Sequence, residues 1–128
     1  MLTLFKTDKC VFCSIEPSEI FFESNHSFVI KSLYPSSPGH LLSIPKRHVT
    51  RLGQLDREEY SDLFLVFLNL LGSDEKSYSL GVNDGKFAGQ TIQHTHLHMI
   101  PRVEGDVEDP RGGIRWVLPQ TADYWNQN

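Results

Sequence analysis

The sequence predicts an α+β fold, an antiparallel sheet of about five strands with one long helix packed on it. Three observations predict it. Short runs of β-branched and aromatic residues lie between turn residues on both sides of the chain's centre. A central stretch repeats apolar residues at spacings of three and four. Finally, His94-Thr95-His96-Leu97-His98 alternates with a period of two.

The elements follow in chain order. Phe21-Phe22-Glu23 and Phe28-Val29-Ile30-Lys31 read as short strands joined by a turn at Ser24-Asn25-His26. Tyr34-Pro35-Ser36-Ser37-Pro38-Gly39 is dense in chain breakers and reads as a loop. His40 to Pro45 is the next strand, ended by its proline. The helix starts at Asp56, which can cap it with Glu59 as the reciprocal partner three residues on. Tyr60, Leu63, Phe64, Phe67, Leu68 and Leu71 form its apolar face, and Gly72 suits the position after its end. Tyr78 to Asn83 and Gln93 to Pro101 complete the strands. Beyond Pro101 the chain turns loop-like, with breakers at Gly105-Asp106 and Asp109-Pro110-Arg111-Gly112-Gly113.

The 128 residues suit one domain. A net charge of -4 argues against a nucleic-acid polymer as partner. No apolar run reaches the roughly 20 residues of a membrane helix. The first residues carry no signal-peptide pattern, so a cytoplasmic location is expected. Cys10 and Cys13 are too few and too close for a disulfide framework, and read as a metal clip or a redox pair.

In a strand, His94, His96 and His98 face one side, about 6.5–7 Å apart, with Thr95, Leu97 and Met99 on the other. Three histidines in a row suit two tasks, holding a metal or holding phosphate. Phosphate chemistry asks for a neutral imidazole nucleophile and a ring of fixed dipoles. Asn83, Gln90 and Gln93 supply amides just upstream, and Gly85 and Gly89 let backbone approach closely.

Gly89-Gln90-Thr91-Ile92-Gln93-His94-Thr95-His96-Leu97-His98-Met99-Ile100-Pro101-Arg102 resembles the signature of the histidine triad superfamily. Cys10-Val11-Phe12-Cys13, Pro38-Gly39-His40 and Pro45-Lys46-Arg47-His48 extend the resemblance, which covers about residues 10–102 and leaves 103–128 as a tail. Asn83-Asp84-Gly85 and Ala88-Gly89-Gln90 look closer to the fragile-histidine-triad dinucleotide hydrolases and their bacterial relatives than to the phosphoramidase branch. The resemblance implies a nucleotide substrate, cut at its α-phosphate through a nucleotidyl-histidine on His96. His98 is expected on the phosphoryl oxygens, Gln90 and Asn83 on the phosphates, and His40 supporting the row. Phe12, Ile15, Ile30 and Leu33 fall where the family lines its nucleoside pocket. Ser32 stands where relatives carry Asp or Asn to grip the ribose, and a hydroxyl cannot span two hydroxyls as a carboxylate does.

The resemblance also implies a structural zinc on Cys10, Cys13, His48 and His94, leaving His96 free, with any further divalent cation carried by the polyphosphate. It implies a homodimer. Phosphoramidase or dinucleotide phosphorylase action with the same nucleophile, a nucleotide-binding sensor with little turnover, and a zinc hydrolase using all three triad histidines are the alternatives. In the tail, Arg111 and Arg115 could offset an acidic ligand and Trp116 could line the mouth of the site.

Overall fold

The computed structural model describes residues 9–71 and 75–126. Five strands form one sheet in the order β1-β2-β3-β5-β4, with antiparallel neighbours throughout. They are β1 (Ile20–Glu23), β2 (Ser27–Lys31), β3 (Leu41–Pro45), β4 (Ser77–Gly81) and β5 (Leu97–Arg102). The strand count and the antiparallel sheet match the sequence expectation.

The sheet separates two apolar layers. Val29, Leu41, Leu97 and Met99 face α1 (Arg57–Leu65) and meet Leu63, Val66 and Phe67 there. Phe28, Ile30, Leu42 and Ile44 point the opposite way and are covered by Phe12. Layers on both sides leave the central strands buried along nearly their whole length, which is why β2 and β3 read as continuous apolar runs.

The helix start is as the sequence indicates. Asp56 accepts from the Glu59 amide at 2.8 Å, and Glu59 accepts from the Asp56 amide at 3.0 Å. Glu59 also holds Arg47 through two bonds of 2.6 and 2.9 Å, and this partner keeps the carboxyl below its ordinary range.

The helix is shorter than its apolar repeat suggests. Regular α-helix stops at Leu65, and tighter turns closed by Phe67→Phe64 and Leu68→Leu65 amide–carbonyl bonds follow. The buried face is Leu63, Val66 and Phe67, while Tyr60, Phe64 and Leu68 are exposed. Tyr60, Phe64 and Leu68 share one stripe at spacings of four beside the buried stripe of Leu63 and Phe67, so the apolar face read from the sequence is wider than the face the sheet covers. Gly72 lies outside the described residues.

The triad strand is also shorter than predicted. The ladder begins at Leu97, so His98 alone of the three histidines is inside it. β3 ends at Pro45, which has no amide to donate and cannot extend the pairing. Thr95 instead donates its amide to the Val49 carbonyl at 2.8 Å.

The tail is more ordered than its breakers suggest. It forms a 3₁₀ segment (Gly113–Val117), the short α2 (Pro119–Ala122) and a last 3₁₀ turn (Tyr124–Asn126). Arg115 ties it together by donating to the Thr121 and Ala122 carbonyls at 2.6 and 3.1 Å. No described helix is long and apolar enough to cross a membrane.

Candidate active site and metal cluster

The open face of the sheet carries a cavity of about 430 Å³. The catalytic and substrate-binding residues that the resemblance implies line it, whereas Gln93, read from the sequence as a further amide, does not. His40, Gln90, His96 and His98 form its polar side. Phe12, Ile15, Ile30 and Leu33 form an apolar side, with Ser32 and Asn83 between. Val11, Tyr34, Ser36, Leu42, Thr91 and Ile92 line it too and were not picked out from sequence. Thr91 and Ile92 could have been, since they continue the motif that carries Gln90.

Hydrogen-bond partners fix the tautomer of each imidazole. His96 Nδ1 lies 2.9 Å from the His94 carbonyl, which can only accept, so Nδ1 carries the proton and Nε2 keeps a lone pair. The Ser36 amide donates to His40 Nδ1 at 3.0 Å. His40 Nε2 must then hold the proton, and it donates to His98 Nδ1 at 2.9 Å. That leaves His98 Nε2 as an N–H donor. A neutral nucleophile thus stands beside a neutral donor, with ring centroids 5.0 Å apart.

Burial keeps all three rings neutral. It lowers the pKa of His40 and of His96, where the bond to the His94 carbonyl works in the other direction. His98 falls to about 4, through burial first and then the neighbouring His96 and His40.

Gln90 is committed to backbone. Its Nε2 donates to the Thr50 and Ile92 carbonyls at 2.8 and 3.0 Å, and its Oε1 accepts from the Gly85 amide at 2.8 Å. Both amide hydrogens are therefore used, and the side chain staples the loop that carries Asn83 to the chain after His48. Arg51 and Asp84 reinforce this staple with paired bonds of 3.1 Å. Gly85 sits at φ +102°, where a Cβ would also press on the Arg51 guanidinium at 3.1 Å. Ser32 accepts from the Tyr34 amide at 3.3 Å, a bond that does not use its hydroxyl hydrogen.

Cys10, Cys13, His48 and His94 converge behind this cavity, with one ligand atom of each inside a 4.8 Å span. Cys10 Sγ and Cys13 Sγ lie 3.5 and 3.6 Å from His94 Nδ1. His48 Nδ1 lies 3.2 Å from both Cys13 Sγ and His94 Nδ1. Ligand–ligand edges of roughly 3.3–3.8 Å follow from tetrahedral Zn–N and Zn–S bonds, so the donor set fits zinc. His94 Nε2 meets the Pro45 carbonyl at 2.8 Å, which fixes its proton there and turns the Nδ1 lone pair toward the cluster.

Arg111, Arg115 and Trp116 do not line the histidine cavity. Arg111 pairs with Asp109 and lies 4.6 Å over the Trp125 ring. Arg115 stacks 4.9 Å over Tyr124. The Trp116 indole donates to the Arg111 carbonyl at 2.7 Å. The tail spends these side chains on its own cohesion.

This arrangement of histidines on an open antiparallel sheet is that of the HIT domain family, which matches residues 14–105, and the chain belongs to that family. Within it, the chain is 41% identical over 100 residues to a bis(5′-adenosyl)-triphosphatase of Dictyostelium discoideum, covering 74% of this chain and 67% of that protein. It is 33% identical over 119 residues to an adenosine 5′-monophosphoramidase of Saccharomyces cerevisiae, covering 88% and 72%. A zinc-bound histidine triad family protein of Mycobacterium smegmatis has a similar structure, with a TM-score of 0.68, 32% identity and coverage of 77% and 78%.

Proposed function

We propose that the chain is a nucleotidyl hydrolase acting at the α-phosphate of dinucleoside polyphosphates or related nucleoside phosphate conjugates. The observation that carries this is the tautomer pair, a lone pair on His96 Nε2 beside an N–H on His98 Nε2 in one cavity. His96 Nε2 attacks the α-phosphorus and forms an N–P bond. The positive charge that grows on its ring is met by the His94 carbonyl at Nδ1. The P–O bond to the leaving portion breaks, and the leaving phosphate oxygen keeps the electron pair as an anion, held by the N–H of His98 Nε2. Water then attacks the phosphorus of the nucleotidyl-histidine, the N–P bond breaks with its electron pair returned to His96 Nε2, and the water's proton passes to solvent as the nucleoside monophosphate is released.

The apolar side of the cavity takes the nucleoside, with Phe12, Ile15, Ile30 and Leu33 against the base and Ser32 near the ribose. Asn83 contacts phosphate. Gln90 acts there as a positioning residue, and reaching the phosphate itself requires it to exchange one backbone partner. Zinc on Cys10, Cys13, His48 and His94 is structural, since four protein donors leave no open position for water. Any divalent cation at the phosphates comes with the substrate. The protein works as a homodimer and has no nucleic-acid polymer as partner.

His96→Ala should lower turnover of diadenosine triphosphate by about a thousandfold or more with the fold intact by circular dichroism. Retained turnover would sink the covalent route. Phosphoramidase action is the second reading, favoured by the yeast relative that spans most of this chain. Release of ammonia from adenosine 5′-phosphoramidate at a higher kcat/KM than any dinucleotide would establish it.

A further inference from the structure

We infer that the C-terminal tail and β4 form a second chamber that holds the leaving portion of the substrate, with Ile114 and Val117 selecting what leaves. This rests on the nucleotidyl-transfer reading above. A separate cavity of about 340 Å³ lies between β4 and the 3₁₀ segment 113–117. It shares Ser36, His40, Asn83 and His98 with the nucleoside cavity and extends away from it along the sheet. His98 and His40 therefore stand at the junction of two chambers, and the bond broken at His96, beside His98, has room for a group on either side.

The fold leaves this space open by design of sequence. His98 pairs across the sheet with Gly81, which offers no side chain on the chamber floor. A Cβ there would already meet Ile114 at 3.6 Å, so the tail lies low over β4. The roof is held by the tail's own bonds, not by the ligand.

The lining says what kind of group fits. Toward the histidines it is polar, with Ser36 and Asn83 able to meet a short phosphate bridge. At the far end Ile100, Ile114 and Val117 close it beside Ser79, whose hydroxyl already accepts from Arg102 at 3.1 Å. Among the described residues no lysine or arginine lines it, and Arg102, just beyond Ser79, is paired with Asp106. A long bare polyphosphate would find no counter-charge here, whereas a nucleoside-sized ring system would bury apolar surface. The chamber thus favours a second nucleoside over a terminal phosphate chain.

Equilibrium binding to a His96→Asn protein, which cannot turn over, tests this with AMP and diadenosine triphosphate as probes. AMP fills only the nucleoside cavity, and the dinucleotide spans both. Ile114→Trp on that background should weaken the dinucleotide about tenfold or more and leave AMP within about twofold, because a ring fills the chamber. Val117→Trp should do the same. Ile114 and Val117 are 60% and 75% exposed, so either indole can be accommodated by the fold. Parallel weakening of both ligands, no change in either, or a dinucleotide that binds no tighter than AMP before the tail is altered would each overturn the chamber. Failure of AMP to bind either this protein or the unaltered chain would instead remove the nucleotidyl reading, and the chamber with it.

Discussion

In the row, His94 and His96 each have one nitrogen answered by a backbone carbonyl and His98 has one answered by the His40 imidazole, and that pairing decides what the other nitrogen can do. Pro45 and His94 supply the carbonyls, and the Ser36 amide sets His40. His98 illustrates the cost. Its pKa is about 4 in the folded chain, against an ordinary value near 6.5 when unfolded. Between these values the unfolded state binds more protons, so stability falls as pH drops from about 6.5 toward 4 and levels off below. His40 and His96 act in the same direction. The His98 share is about 1–3 kcal/mol once partial solvent access is allowed for. His98→Asn should therefore flatten the dependence of urea unfolding on pH between 4 and 6.5, and an unchanged slope would contradict this origin. The residue types of the site were legible in the sequence because the motif is dense. Their tautomers were not, because those of His40 and His96 follow the local path of the backbone and those of His94 and His98 are set by groups far along the chain, the Pro45 carbonyl and the His40 imidazole.

Elements were legible where one local rule governs them. Asp56 and Glu59 announce the helix start, and both reciprocal bonds form. Its end was not legible, because Phe64, Phe67, Leu68, Leu70 and Leu71 satisfy several periodicities at once. Likewise, alternating histidines look like strand from His94 onward, but pairing depends on Pro45 in another strand. The segment before β5 is thus held by one amide bond to Val49 and by side chains instead of a ladder, and the Cys10, Cys13, His48 and His94 set gathers three separate stretches of chain there. Protein purified without added metal should contain one zinc per chain by elemental analysis, and Cys13→Ser should lose it and melt at lower temperature. Metal-free protein from such a preparation, folded and fully active, would remove zinc from the account.

At the scale of the whole molecule, β4 ends the sheet and Tyr60, Phe64 and Leu68 leave an apolar row on the outside of the helical segment. An open strand edge and exposed aromatic surface are features that self-association covers. Light scattering at micromolar concentration should give twice the 14.7 kDa chain mass, and Phe64→Glu should shift it toward one. A single-chain mass at every concentration would refute the dimer. The sheet and its face were readable from alternation alone, whereas the chamber under the tail was not, since Ile114 meets Gly81 only through the folded path of the C-terminal segment. Phe12 carries one last consequence. It stands edge-on to both His94 and His96, with centroids 5.9 and 5.0 Å away, and sits in sequence between the two cysteines. One ring is therefore a party wall between the metal cluster and the nucleoside cavity. An attempt to re-engineer base preference by trimming that wall would loosen the metal knuckle in the same stroke, so new specificity is better sought at Ile15 or Leu33, which border the cavity without lying between the two cysteines.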